Sequence, residues 1–152
     1  MNTIQIDKIL KRNAITKRFY IGCFASDRIP LTISTFPFCM VVNTDPSMLP
    51  GSHWIAIFCS SPSNVDYFDS LGFWPPFSFY IKKYLSNFTK VSYNNIQIQQ
   101  PMEHTCGKYA IFFLFMRCSG FSIENIILIL SKVNADRFVS QFIATKAFNI
   151  NN

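Results

Sequence analysis

Four polar residues stand inside otherwise apolar stretches: His53 in Gly-Ser-His-Trp-Ile-Ala-Ile, Asp69 in Tyr-Phe-Asp-Ser-Leu-Gly, Gln100 in Gln-Gln-Pro-Met-Glu-His, and Cys106 in Thr-Cys-Gly-Lys-Tyr-Ala. Thiol, imidazole, carboxylate and amide are the groups needed to open a peptide bond by nucleophilic attack. Cys106 is the expected nucleophile. An apolar run follows it, so the thiol should sit at a helix N-terminus, whose partial positive charge favours the thiolate. His53 would take the thiol proton and later give it to the leaving amine. Asp69 would fix the tautomer of the ring and stabilise the imidazolium. Gln100, with the backbone N–H of Cys106, would donate to the developing oxyanion, a contribution of about 3 kcal/mol per donor. His104, two residues before Cys106, is the rival imidazole, but a ring so near in sequence has poor geometry for the role.

Taken singly, each residue has a plainer explanation. A cysteine opening a helix is usually a small buried side chain, a histidine before tryptophan is usually structural, and Asp-Ser-Leu-Gly would pass for a turn. The order His, acid, Gln, Cys-Gly is what gives the set its meaning.

These residues must be carried by regular elements. Ile4, Ile6, Ile9 and Leu10 suit one face of a short helix, with Lys8, Lys11 and Arg12 outward. Residues 19–37, broken by Gly22, Pro30 and Pro37, read as irregular connections. Buried strands are expected over 38–42, 53–59 and 65–69, the last two joined as a hairpin through the Ser-, Pro- and Asn-rich residues 60–64. Residues 79–85 suit an amphipathic helix, and Ile96 and Ile98 suggest a strand over 91–99. Residues 106–118 read as a central buried helix. A second helix follows over 122–133 with Ser122 as its N-cap and Glu124 in its first turn, and a last one spans 134–147. The sum is one α+β domain over residues 1–152, sheet in the middle and helix behind it.

Composition fits that picture. A hydrophobic share of 49% and an aromatic share of 16%, with seventeen Phe and six Tyr, support a packed globule. Some of those rings could also line a substrate groove. The five cysteines form an odd set without metal-type spacing, as in a reducing compartment. The apolar run 109–116 ends at Arg117, far short of a bilayer span, and the start lacks a signal-peptide block. The formal charge of +6 favours polyanions. Lys8, Lys11, Arg12, Lys17 and Arg18 contribute to it, although a solvated helical face is the favoured explanation for them.

The motifs resemble the adenovirus maturation protease family and, more broadly, the SUMO/ubiquitin-like protease clan. Tyr20-Ile21-Gly22-Cys23-Phe24, Asp27-Arg28-Ile29-Pro30, Val41-Val42-Asn43-Thr44, Gly51-Ser52-His53-Trp54 and Phe68-Asp69-Ser70-Leu71-Gly72-Phe73 follow one another as in the adenoviral enzymes. Asn-Thr followed by Gly-x-His-Trp is the sharpest part. The proteases of Polinton/Maverick elements and virophages are similar in brevity and in Asn-Thr-Asp-Pro. The resemblance covers residues 19–116 and implies a papain-like fold of the adenain/Ulp1 type: a central mixed sheet packed on the helix that starts at the catalytic Cys.

The same resemblance implies a cysteine endopeptidase that cleaves capsid or core precursor polypeptides during virion maturation, with small residues, often glycine, around the scissile bond. It assigns base, orienting, oxyanion and nucleophile roles to His53, Asp69, Gln100 and Cys106. Two departures stand out. The acid is Asp69 where adenoviral enzymes mostly carry Glu, matching the SUMO-protease pattern. Gln99 has the adenoviral spacing from the cysteine and Gln100 the SUMO-protease spacing; Gln100 is favoured. Adenoviral proteases also use a disulfide-linked peptide activator and DNA. No cysteine lies between Cys59 and Cys106, so no covalent peptide and no required cofactor is expected; double-stranded DNA stays a candidate activator through charge. The expected setting is the virion and host-cell interior, without membrane, as a monomer. Two alternatives stand beside this: a protease of ubiquitin-like modifiers, and a basic DNA-associated structural protein with an inactive site.

Overall fold

A computed structural model describes residues 1–151, with side chains through Thr145. The elements run α1 (Thr3–Arg12), β1 (Tyr20–Ala25), β2 (Phe38–Asn43), β3 (Trp54–Ser61), β4 (Asn64–Phe68), α2 (Phe79–Leu85), β5 (Lys90–Tyr93), α3 (Cys106–Cys118), α4 (Ile123–Ser131) and α5 (Ala135–Asn151). The five strands form a single mixed sheet in the order β1-β2-β3-β4-β5. The three inner strands are antiparallel, and each edge strand joins in parallel.

The apolar runs of β2 and β3 follow from cover on both sheet faces, the condition that makes strands continuously hydrophobic. Cys39, Val41, Ala56 and Phe58 point to one core, shared with α1, α3, α4 and α5. Met40, Val42, Ile55 and Ile57 point to a second, closed by α2 and the segment around Ile29. The sheet is therefore covered on both faces, not only by a helix behind it. α3 is apolar nearly all round because it is the innermost helix: residues 109–114 are all buried. Phe113 stacks on Phe68 of β4 with ring centroids 4.5 Å apart. At the far end of α3, Arg117 donates from Nε to Asp66 of β4 at 2.6 Å and lies over the Phe58 ring. Helix and sheet are thus joined along the length of α3.

Two expectations change. Residues 20–25, read as irregular, form an edge strand parallel to β2, with a register irregularity between Tyr20 and Gly22. Residues 94–99 are not strand: β5 ends at Tyr93, and side-chain hydrogen bonds hold the residues beyond it. The other expected elements are present, with Ser122 capping α4 through the Asn125 N–H. Among the described residues no helix is long and apolar enough to cross a membrane.

Candidate active site

His53 immediately precedes β3 and is positioned by the end of β2. In the β2–β3 register Asn43 faces Trp54. One residue further, the Thr44 N–H donates to the His53 carbonyl at 2.9 Å. Gly51 has φ 89°, and a Cβ there would lie 2.7 Å from the Asn43 amide nitrogen. The Asn-Thr and Gly-x-His-Trp motifs are thus two halves of one packed corner, and that corner aims the imidazole.

Asp69 is the first residue past β4 and is buried. The His53 Nε2–H donates to its Oδ1 at 2.7 Å, and the Leu71 N–H donates to the same oxygen at 2.8 Å. Asn94 secures the backbone here, accepting from the Asp69 N–H at 2.9 Å and donating to the Asp69 carbonyl at 2.6 Å. Gly72 closes the turn, its N–H reaching the Asp69 carbonyl. A Cβ on Gly72 would meet the Ile96 backbone at 2.4 Å. The Asp-Ser-Leu-Gly turn is thereby pressed against the segment leading to the glutamines.

With Nε2 engaged, Nδ1 of His53 is left for the Cys106 sulfur, and ring and thiol are near enough for each to shift the other's ionisation. Cys106 is the first residue of α3. Burial pushes its thiol pKa up, yet the His53 hydrogen bond, the backbone N–H of Trp54, the His53 charge and the Gly107 N–H outweigh this and leave it lowered. Burial likewise pulls the His53 pKa down, but its hydrogen bonds to Asp69 and Cys106 prevail and raise it to about 9. Both shifts favour the thiolate–imidazolium pair as the resting state. The half-buried thiol of Cys23 moves the other way, up to about 12, chiefly through desolvation.

The two glutamines lie differently. Gln99 is buried; its Oε1 accepts from the Ser70 hydroxyl at 2.8 Å, and its Nε2 donates to the Glu103 carbonyl. Gln100, the favoured oxyanion donor by spacing, has an exposed side chain that lines a groove with Leu130 and Val133 at the end of α4. His104 is exposed. Asn94, Ser70 and Tyr67, whose hydroxyl is 3.4 Å from Asp69 Oδ2, were not foreseen. Only the proximity of Ser70 to Asp69 in sequence could have signalled one of them.

Two grooves border the β2–β3 corner. One of about 360 Å3 includes Trp54, Gly51, Leu49 and Met1; the Trp54 indole N–H donates to the Met1 carbonyl at 3.1 Å. The other, of about 290 Å3, includes His53, Asp69, Phe73 and Phe77. Among the described residues no three His, Cys, Asp or Glu side chains converge as a metal site would require.

Solved structures share this architecture. The ASFV pS273R protease superposes with a TM-score of 0.58 at 21% identity over 80% of this chain; the chain spans only 59% of that protein's length. The SUMO protease Ulp1, with its catalytic cysteine oxidized to a sulfinic acid, gives a TM-score of 0.54 at 19% identity, covering 97% of this chain and 78% of Ulp1. The central domain of the uncharacterized Lpg1148 protein from Legionella pneumophila gives 0.55 at 11% identity, covering 99% and 98% of the two chains. No sequence-family model and no curated protein sequence matches the chain. The fold is therefore the papain-like, Ulp1-type fold. The narrower adenovirus-type assignment rests on the sequence motifs alone.

Proposed function

We propose that this chain is a cysteine endopeptidase, with Cys106 as nucleophile, His53 as general base and acid, and Asp69 as the residue that orients the ring. The observation that carries the reading is the buried relay itself: Asp69 Oδ1 is 2.7 Å from His53 Nε2, and the same ring acts on the Cys106 thiol at a helix N-terminus and lowers its pKa. Gln99, rather than Gln100, is the glutamine we assign to the oxyanion, because its amide is buried and fixed beside the Asp69 turn. Attack by the thiolate yields a tetrahedral oxyanion facing the Cys106 N–H and the Gln99 amide. Collapse expels the amine, which takes the His53 proton, and water then hydrolyses the thioester with His53 as base.

The substrates we propose are capsid or core precursor polypeptides of a virus or transposon. The Asn-Thr and Gly-x-His-Trp corner and the likeness in fold to the ASFV pS273R protease support this class. Double-stranded DNA remains a candidate activator, favoured by the +6 charge. Co-expression with the precursor tests the proposal: Cys106→Ala is to abolish the new termini that the intact chain generates, and persistent processing refutes it. The use of Asp as the acid and the coverage of Ulp1 favour a second reading, a protease of ubiquitin-like modifiers. Labelling by a ubiquitin-like C-terminal vinyl sulfone, without cleavage of the capsid precursor, would select that alternative.

A further inference from the structure

The segment joining Gln99 to Cys106 makes a tight turn in which Pro101 suits its position and Met102 does not. The Glu103 N–H reaches the Gln100 carbonyl, with Pro101 and Met102 at the two central positions. Met102 has φ 70°, the left-handed region that a type II turn asks of this position and that glycine or asparagine normally fills. Its side chain is 93% exposed, so packing does not impose the geometry. The ends of the turn are tethered instead.

One tether comes from α5. Asp136, in the first turn of that helix, is 9% exposed. Its Oδ2 accepts the Gln100 backbone N–H at 3.0 Å and its Oδ1 accepts the Thr105 hydroxyl at 2.6 Å. One carboxylate therefore grips the chain directly after Gln99 and directly before Cys106. Thr105 occupies the N-cap position of α3, where a threonine hydroxyl ordinarily satisfies the first helical N–H groups. Here it makes no such bond; the hydroxyl is turned to Asp136 and donates to it. The Lys108 and Tyr109 N–H groups reach the Thr105 carbonyl and the Gly107 N–H faces the sulfur, which leaves the Cys106 N–H for an incoming oxyanion.

We propose that Asp136 is a positioning residue for acylation. By holding Gln100 and Thr105 it sets the separation between the Gln99 amide and the Cys106 N–H, while contributing nothing to the Cys106–His53 ion pair. This rests on the endopeptidase reading above. Displacing a donor by about an ångström costs on the order of 100-fold in rate.

Two reagents separate the two machineries. Iodoacetamide reports the thiolate, since displacement of iodide builds no oxyanion. p-Nitrophenyl acetate acylates the sulfur through one: the S–C bond forms, the C–O bond breaks, and p-nitrophenolate leaves with the electron pair. Mass spectrometry assigns each label to Cys106 against the other four cysteines. In Asp136→Ala and Thr105→Val the acylation rate is expected to fall at least about 10-fold while alkylation and its pH profile stay put; Thr105→Ser, which keeps the hydroxyl, is to restore most of it. Combining Asp136→Ala with Gln99→Ala is to cost little more than Gln99→Ala alone, as for residues acting through one site. Parallel loss of both reactions, undiminished acylation, or multiplying losses would each overturn the proposal. A wild-type chain that acetylates Cys106 no faster than Cys23 would instead overturn the endopeptidase reading beneath it.

Discussion

Replacing Asp69 by Asn removes a charge from a site with almost no solvent to screen it: the side chains of Asp69 and His53 are 2% and 13% exposed. The His53 pKa lies near 9 against an ordinary value of 6.5, a net rise worth about 3 kcal/mol. Burial works against that rise, so the acidic partners together contribute more than the net figure. Of those partners the Asp69 hydrogen bond and charge each exceed the corresponding contribution from Cys106. Asp69 supplies both a hydrogen bond and a charge to the ring, so its neutralisation should lower the His53 pKa by about one unit or more, a factor of 10 or more.

The effect reaches Cys106 through the ring's action on the thiol. With a ring that protonates less readily, burial regains control of the thiol and its pKa climbs. The assay is iodoacetamide labelling of Cys106 across the pH range. In the wild type, the reaction is expected to stay fast near pH 6, where an ordinary thiol is almost wholly protonated, and to change again near pH 9 as the imidazolium is lost. In Asp69→Asn the alkaline change should move down by at least about one unit, and labelling at about pH 6 should fall at least 10-fold. Superimposable profiles for the two proteins would refute the claim that Asp69 sustains the ion pair.

Four further outcomes follow from the geometry. Gln99→Ala should cost on the order of 100-fold in kcat, and Gln100→Ala less than about threefold, since that side chain is exposed; the reverse ranking in steady-state assays would return the oxyanion role to Gln100. Gly72→Ala should destabilise by more than about 2 kcal/mol in denaturant titrations, because the new Cβ meets backbone at 2.4 Å where φ is already 72°. Arg117→Ala strands the half-buried Asp66 carboxylate, whose pKa burial already raises despite the arginine, and should cost about 2 kcal/mol, with Lys restoring only part. Finally, the folded His53 keeps its proton up to about 9 and an unfolded histidine releases it near 6.5, so the stability it contributes is complete below the lower value and lost as pH rises through the upper one. The difference in denaturation midpoint between wild type and His53→Gln should shrink over that interval.

Where hydrophobic period and local capping decide the structure, the sequence was readable. α3 runs from Cys106 to Cys118, the bounds expected for the central buried helix, and β2, β3 and β4 fall within two residues of their expected bounds. His53, Asp69 and Cys106 stood out in the sequence because each lies at the end of such an element. β1 was hidden because an edge strand interrupted near Gly22, with half-buried residues toward its end, presents neither alternation nor a continuous apolar run. Ile96 and Ile98 imitated a strand, but Ile96 is 46% exposed and the segment is pinned by Ser70 and Asn94 side chains, not by a ladder. Spacing could not separate Gln99 from Gln100, because the choice depends on which side chain faces Ser70 across the turn.

Asp136 shows the limit most clearly. An aspartate in the first turn of a helix has a sufficient local explanation in the helix dipole, so nothing in its neighbourhood marks it as part of a site assembled more than thirty residues earlier in the chain. The same division runs through the molecule. The ion pair is built from residues at the ends of β3, β4 and α3, elements joined along their length by the Phe68–Phe113 stack and the Arg117–Asp66 pair. The proposed oxyanion side is built on an irregular segment that takes its shape from side chains on the Asp69 turn and α5. Loosening α5 should therefore slow acyl transfer before it disturbs thiolate formation.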